Sequence, residues 1–99
     1  MRVYISGKMN GLSKEAYRGK FKKAQKDLIK MGHKPINPAR LDVYDLEYKD
    51  FLAIDAILIK SCEAIYMLDN WEDSAGALWE LAEANRLGLK VMYEGENGK

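Results

Sequence analysis

Two acidic residues stand where apolar ones would be expected to pack. Asp55 is embedded between Phe51 and Leu58 on the packing side of one predicted helix. Glu80 sits in Leu78-Trp79-Glu80-Leu81-Ala82, one or two turns inside another helix that is otherwise apolar. Burying an unpaired carboxylate is costly, so each placement calls for a partner or a wet pocket. A lysine partner or a snorkelling side chain would satisfy either one alone. Two of them near one strand edge point instead to a site. Paired carboxylates suit glycosyl chemistry: one attacks or stabilises an oxocarbenium-like anomeric carbon while the other positions the sugar or manages a proton.

Other segments could hold a ligand. In Ser6-Gly7-Lys8-Met9-Asn10-Gly11, two glycines allow close backbone approach and Lys8 adds a positive charge. The segment lacks the three spaced glycines of a dinucleotide fingerprint and the Gly-Lys-Ser/Thr end of a Walker loop, so it reads equally as a tight turn or a binding loop. Ser74, at a predicted helix start, either caps that helix or presents its hydroxyl, with nearby free amides, to a phosphate. Asp69, Glu72 and Asp73 crowd the same loop and oppose an anion unless they point away or the phosphate lies against Lys8. His33 and Cys62 are the single histidine and cysteine, and they give no metal-ligand spacing. No Gly-x-Ser-x-Gly elbow is present. The expectation is therefore no metal and no cofactor.

The elements that must position these residues follow from periodicity and punctuation. Arg2 to Ser6 is a short β-prone run stopped by Gly7. Ser13 caps a predicted helix in which Tyr17, Phe21, Ala24, Leu28 and Met31 recur at spacings of four and three, closed by Gly32. His33 to Asn37 reads as a second strand ended by Pro38, and Ala39 to Tyr44 as loop. A second helix is expected from about Leu46 to Lys60, with an apolar stripe of Tyr48, Phe51, Leu52, Leu58 and Ile59. Ala64 to Leu68 is the best candidate for a buried strand, followed by a loop at Asp69-Asn70. Ser74 starts a third helix that Gly88 ends; Leu89 to Tyr93 is a last strand, and Glu94 to Lys99 reads as a frayed tail.

Strands separated by helical segments are the signature of a parallel sheet with right-handed crossovers. The expected fold is a three-layer Rossmann- or flavodoxin-like α/β domain with about four parallel strands. Ligands of such sheets sit beyond the carboxyl ends of the strands, where the strand order reverses. That rule selects the Ser6–Gly11 loop, the Asp69–Ser74 loop with the helix it feeds, and whatever neighbouring helix projects there.

Composition bounds the rest. At 99 residues the chain falls below the roughly 150 expected per domain, so residues 1–99 are read as one domain. An apolar fraction of 47% with 31% charged residues excludes a disordered acidic tail, a collagen-like repeat and a disulfide scaffold. Net charge is +1, yet Lys14 to Lys34 holds eight basic and two acidic residues. No aromatic residues interleave as a nucleic-acid stacking platform requires, so a solvated helix face is expected there. A lone cysteine fits a reduced compartment, and no apolar run approaches the length of a membrane span, so a cytoplasmic location is expected.

Taken together, Tyr4-Ile5-Ser6-Gly7-Lys8-Met9-Asn10-Gly11, Asp55 eight positions before Glu63, and Ser74-Ala75-Gly76-Ala77-Leu78-Trp79-Glu80-Leu81 resemble the nucleoside 2-deoxyribosyltransferase superfamily. The likeness spans about Arg2 to Tyr93 and is strongest to its small bacterial and phage members, with the 2′-deoxynucleoside 5′-monophosphate N-glycosidases as a related branch. The resemblance implies that Glu80 attacks the anomeric carbon and forms a covalent deoxyribosyl-enzyme. By the same likeness, Asp55 helps bind substrate or handles the leaving base's proton, and Tyr4 orients the nucleophile. Ser74, six residues before Glu80, stands where transferases acting on free nucleosides tend to carry aspartate and the monophosphate glycosidases a phosphate-binding serine. The Ser6–Gly11 loop resembles the glycosidase phosphate loop, with Asn10 where that branch often has arginine. The implied site is thus Glu80, Asp55 and Tyr4 as catalytic residues, with Ser6, Gly7, Lys8, Met9, Asn10, Gly11, Asp69, Ser74 and Gly76 binding substrate. Its ligand would be a small-molecule nucleoside or nucleotide. Relatives also supply a residue to a neighbouring subunit's pocket from beyond the last strand, which implies a homodimer or larger and leaves Tyr93 or Asn97 as donors. The competing class is a nucleotide-binding or sequestering module without turnover.

Overall fold

A computed structural model describes residues 1–96. Four strands, β1 (Arg2–Ser6), β2 (Lys34–Ile36), β3 (Ala64–Met67) and β4 (Lys90–Tyr93), alternate with three helices, α1 (Lys14–Lys30), α2 (Tyr48–Lys60) and α3 (Ala75–Leu87). The sheet order is β2-β1-β3-β4, and every neighbouring pair is parallel. Strand order therefore reverses between β1 and β3, where Tyr4 lies opposite Ile65 and Ser6 opposite Met67.

Side chains of a strand alternate between faces, and this sheet buries both. Val3 and Ile5 turn to one side, where Tyr17, Phe21, Ala24 and Leu28 of α1 cover them. Tyr4, with Ile65 and Met67 of β3, turns to the other, under Ile59 of α2 and Ala77 and Ala84 of α3. The result is the expected three layers. Ser6 shares the face of Tyr4, so β1 presents two hydroxyls, two residues apart, to the layer that contains α3.

The helix signals act where the sequence placed them. Ser13 Oγ accepts from the Ala16 amide at 3.1 Å, Ser74 Oγ from the Ala77 amide at 3.1 Å, and Gly88 ends α3 at φ 76°, the left-handed region that favours glycine.

Four expectations need correction. Residues 39–44 are not plain loop: Pro38–Val43 forms a 3₁₀ helix, with Asn37 Oδ1 accepting from the Ala39 amide at 3.0 Å. Trp71–Asp73 forms a second, short one within the loop after β3. The apolar stripe of α2 loses its first member: Ile59 is buried with Asp55, and Phe51, Leu52 and Leu58 are half-buried as expected, but Tyr48 is exposed. Glu94 is no frayed end, because its amide donates to the Met67 carbonyl at 2.8 Å and its carboxylate accepts from the Asp69 amide at 2.8 Å. Asn97 lies outside the described residues.

Candidate active site

Glu80 lies on α3, just beyond the carboxyl ends of β1 and β3. Its side chain is buried, at 7% exposure. The Tyr4 hydroxyl donates to Oε2 at 2.6 Å, and the Ser6 hydroxyl donates to Oε1 at 2.6 Å. Each carboxyl oxygen thus has its own donor, both sent from one face of β1. Asp55, buried on α2, is the neighbouring acid.

These groups set one another's protonation. Burial pushes the Glu80 carboxyl up to about 8, against the Ser6 and Tyr4 hydrogen bonds that favour its charged form, and the Asp55 charge pushes the same way as burial. Burial likewise raises Asp55 above the usual carboxylate range, opposed by hydrogen bonding to Glu80 and Tyr4. Tyr4 is raised well above an ordinary phenol, first by burial and then by the two carboxylates. Burial thus favours the protonated form of both acids, and as close neighbours they titrate as a pair.

Both carboxyls line a cavity of about 430 Å³, a size suited to a small organic ligand. The loop after β1 contributes Gly7, Met9, Asn10 and Gly11, and the start of α3 contributes Ser74 and Gly76. Ser74 spends an oxygen lone pair on its helix cap but keeps its own O–H to donate. The α3 N-terminus, with its unpaired amides and positive dipole end, therefore faces the cavity. A larger groove of about 710 Å³ runs between α1 and the 3₁₀ helix, but Asp42 is its one acid and that carboxylate is clamped by Arg18. The smaller cavity is the one that gathers both buried carboxyls.

Of the residues singled out in the sequence, eight line this cavity, and Tyr4 and Ser6 stand behind Glu80 as its donors. Lys8 and Asp69 do not line it. The Lys8 amide donates to Asn70 Oδ1 at 3.1 Å, and Asp69 pairs with Lys20 at 2.7 Å on the surface. Glu72 and Asp73 are exposed and also outside the wall. The acids of that loop thus stay out of the cavity wall. Sequence reasoning missed Asp42, Tyr17 and Lys14 as wall residues and read Tyr48 and Phe51 as core. The signal for Asp42 was available in its place just beyond the carboxyl end of β2. Among the described residues, no group of three or more His, Cys, Asp or Glu is placed to hold a metal ion, and no helix is long and apolar enough to cross a membrane.

A four-stranded parallel sheet between helical layers, with its cavity at the β1/β3 reversal, is a three-layer α/β fold. The chain is similar to the solved structure of the Clostridium botulinum CMP N-glycosidase BcmB, with a TM-score of 0.67 and 20% identity, covering 100% of this chain and 75% of that one. Over residues 1–93 the chain matches the model described as Domain of unknown function (DUF4406), and it belongs to that family. No curated protein matches it in sequence.

Proposed function

We propose that the protein is an N-glycosidase or deoxyribosyltransferase that cleaves the base–sugar bond of 2′-deoxynucleosides or their 5′-monophosphates. The observation that carries this reading is Glu80 clamped by Tyr4 and Ser6 beside Asp55 in one cavity. The resemblance to deoxynucleotide glycosidases and the fold shared with a CMP N-glycosidase support it.

The chemistry needs one proton shared by Glu80 and Asp55. With that proton on Asp55, Glu80 is a carboxylate, and one of its oxygens attacks the anomeric carbon. The C1′–N bond breaks, its electron pair goes to the base nitrogen, and the Asp55 proton neutralises it. Water, or a second base in a transferase, then adds to C1′; the Glu80–sugar bond breaks, and the incoming group's proton returns to Asp55. Tyr4 and Ser6 fix the attacking group so that displacement occurs in line. A 5′-phosphate is matched by Ser74 and the α3 amides. The same reading places the protein in the cytoplasm as a homodimer or larger assembly.

Glu80→Ala is expected to abolish release of free base, followed by chromatography of incubated deoxynucleotides, while the circular dichroism spectrum is retained. Equal base release from wild type and variant refutes the nucleophile assignment. A binding module without turnover is the competing reading, because burial favours the protonated, non-nucleophilic form of Glu80. Calorimetric binding of a nucleotide with no base released over hours selects that reading.

A further inference from the structure

Asp42 lines the cavity, and the mechanism above gives it no task. It is held by three hydrogen bonds. The Tyr17 hydroxyl donates to Oδ2 at 2.6 Å, Arg18 Nε to the same oxygen at 2.7 Å, and Arg18 Nη2 to Oδ1 at 2.7 Å. A carboxylate offers about four acceptor directions over its two oxygens, so one direction on Oδ1 remains. Arg18 lines the larger groove, which Asp42 also borders, and is not part of the cavity wall. What Asp42 offers a ligand is a fixed acceptor.

Topology decides which part of a ligand arrives there. Glu80 serves the β1/β3 reversal, and Ser74 and Gly76 follow β3. Pro38 and Asp42 follow β2 instead, on the opposite side of β1, and Tyr48 and Phe51 begin the helix after them. With the anomeric carbon at Glu80 and the 5′ end at the α3 amides, the base extends toward Pro38, Tyr48 and Phe51. Those side chains suit a flat ring, and Asp42 stands at its edge.

Resting on the glycosidic reading, we infer that Asp42 reads the edge of the base and favours cytosine or adenine, which present an exocyclic amine, over uracil or thymine, which present a keto oxygen there. An amine N–H fills the spare acceptor direction. A keto oxygen would set two acceptors face to face without a proton between them, leaving both desolvated and unmatched. Lys14 also borders the cavity, but it is exposed, and its flexible stem lets the ammonium turn to water or a phosphate.

The test compares base release from 2′-deoxycytidine and 2′-deoxyuridine 5′-monophosphates, equal in size and different at one substituent, in wild type and in Asp42→Asn. Wild-type kcat/KM is expected to favour the cytosine nucleotide by about tenfold or more, chiefly through KM. The amide of Asp42→Asn can turn either an N–H or a C=O to the base, so the ratio should fall at least about fivefold. A wild-type ratio near one, or in favour of uracil, overturns the inference while leaving the glycosidic reading intact, and it needs no folded variant. A ratio left unmoved in Asp42→Asn while both rates fall also overturns it, because that is the mark of a tie between the 3₁₀ helix and α1. Release of base from neither nucleotide refutes the glycosidic reading instead. Calorimetry with the same two nucleotides then decides Asp42 alone: tighter cytosine binding that Asp42→Asn removes supports it, and equal or absent binding overturns it.

Discussion

Glu80 answers to opposing influences, and their balance is measurable. Two hydroxyl donors favour its anion, whereas burial and the Asp55 charge favour the acid; burial is the largest and carries the group to about 8. If turnover needs one proton on the pair, kcat/KM is expected to fall on the alkaline side with a limb near 8, and on the acid side once both carboxyls are protonated. Asp55→Asn removes both the proton donor and the like charge. Its profile should plateau at high pH, with a rate lower by about 10²–10⁴-fold; an unmoved limb near 8 assigns that titration to another group. Stability gives an independent readout. Unfolded, Glu80 titrates near its ordinary value of 4.5, and folded it titrates at about 8. Between those values the folded state keeps a proton that the unfolded state has lost, so stability is full below the lower value and declines as pH rises through the higher. The slope is at most about 1.4 kcal/mol per pH unit for one proton. Thermal midpoints should therefore drop between pH 5 and pH 8 (about, from this linkage), and Glu80→Gln should flatten the curve. Glu80 and Asp55 were legible in the sequence because each interrupts an apolar helical pattern. Asp42 falls in a stretch with no periodicity for an acid to interrupt, so its place after β2 was its one signal.

The loop after β1 has its shape because of what it passes. A Cβ placed on Gly7 would meet Leu68 Cδ1 at 2.5 Å and its Cβ and Cγ at 2.9 Å. Leu68 is fully buried, so it has no open space to retreat into. Gly7→Ala should cost about 1–3 kcal/mol, read as a lower urea midpoint at unchanged slope. Gly19, inside α1, has nothing within 4 Å of its would-be Cβ, so Gly19→Ala should instead add about 0.5–1 kcal/mol of stability and raise the midpoint. Equal effects at the two positions would show that Leu68 yields and that close approach is not why glycine stands at Gly7. The elements themselves were legible to differing degrees. α1 and α3 were marked at both ends, by Ser13 and Gly32 and by Ser74 and Gly88, around runs of matching period. The 3₁₀ helix over Pro38–Val43 carries no amphipathic stripe, since three-residue turns in so short a piece present no continuous face. It escaped notice although it forms one wall of the cavity. The β2-β1-β3-β4 order is likewise decided by crossovers between distant segments, which local patterns do not encode.

Across the molecule, the large apolar residues left in solvent are unevenly spread. Apart from Met1, Ile29 and Met31, the exposed set is Val43, Tyr44, Leu46, Tyr48, Ile57, Leu78 and Trp79. Leu46, Tyr48, Ile57, Leu78 and Trp79 belong to the segment that leads into α2, to α2 itself or to α3, the helices that carry Asp55 and Glu80, whereas Val43 and Tyr44 line the groove beside α1. Within α2, Tyr48 and Ile57 stay outside while Phe51, Leu52, Leu58 and Ile59 turn inward with Asp55. Scattered apolar residues need no explanation, but a concentration on one layer marks an interaction surface. Tyr48 belongs to that surface and to the cavity wall at once, so a second copy seated there would close the cavity mouth. Sedimentation should accordingly give a mass of at least twice the 11.3 kDa of one chain. Ile57→Glu places a charge where a partner would remove water, at 69% exposure in the single chain, and should return the protein to one chain without unfolding it. If assembly completes the site, that variant loses base release while keeping Glu80, Tyr4 and Asp55 in place. Wild-type protein sedimenting as a single chain at all concentrations would refute the assembly, and a fully active monomeric Ile57→Glu would separate assembly from the chemistry.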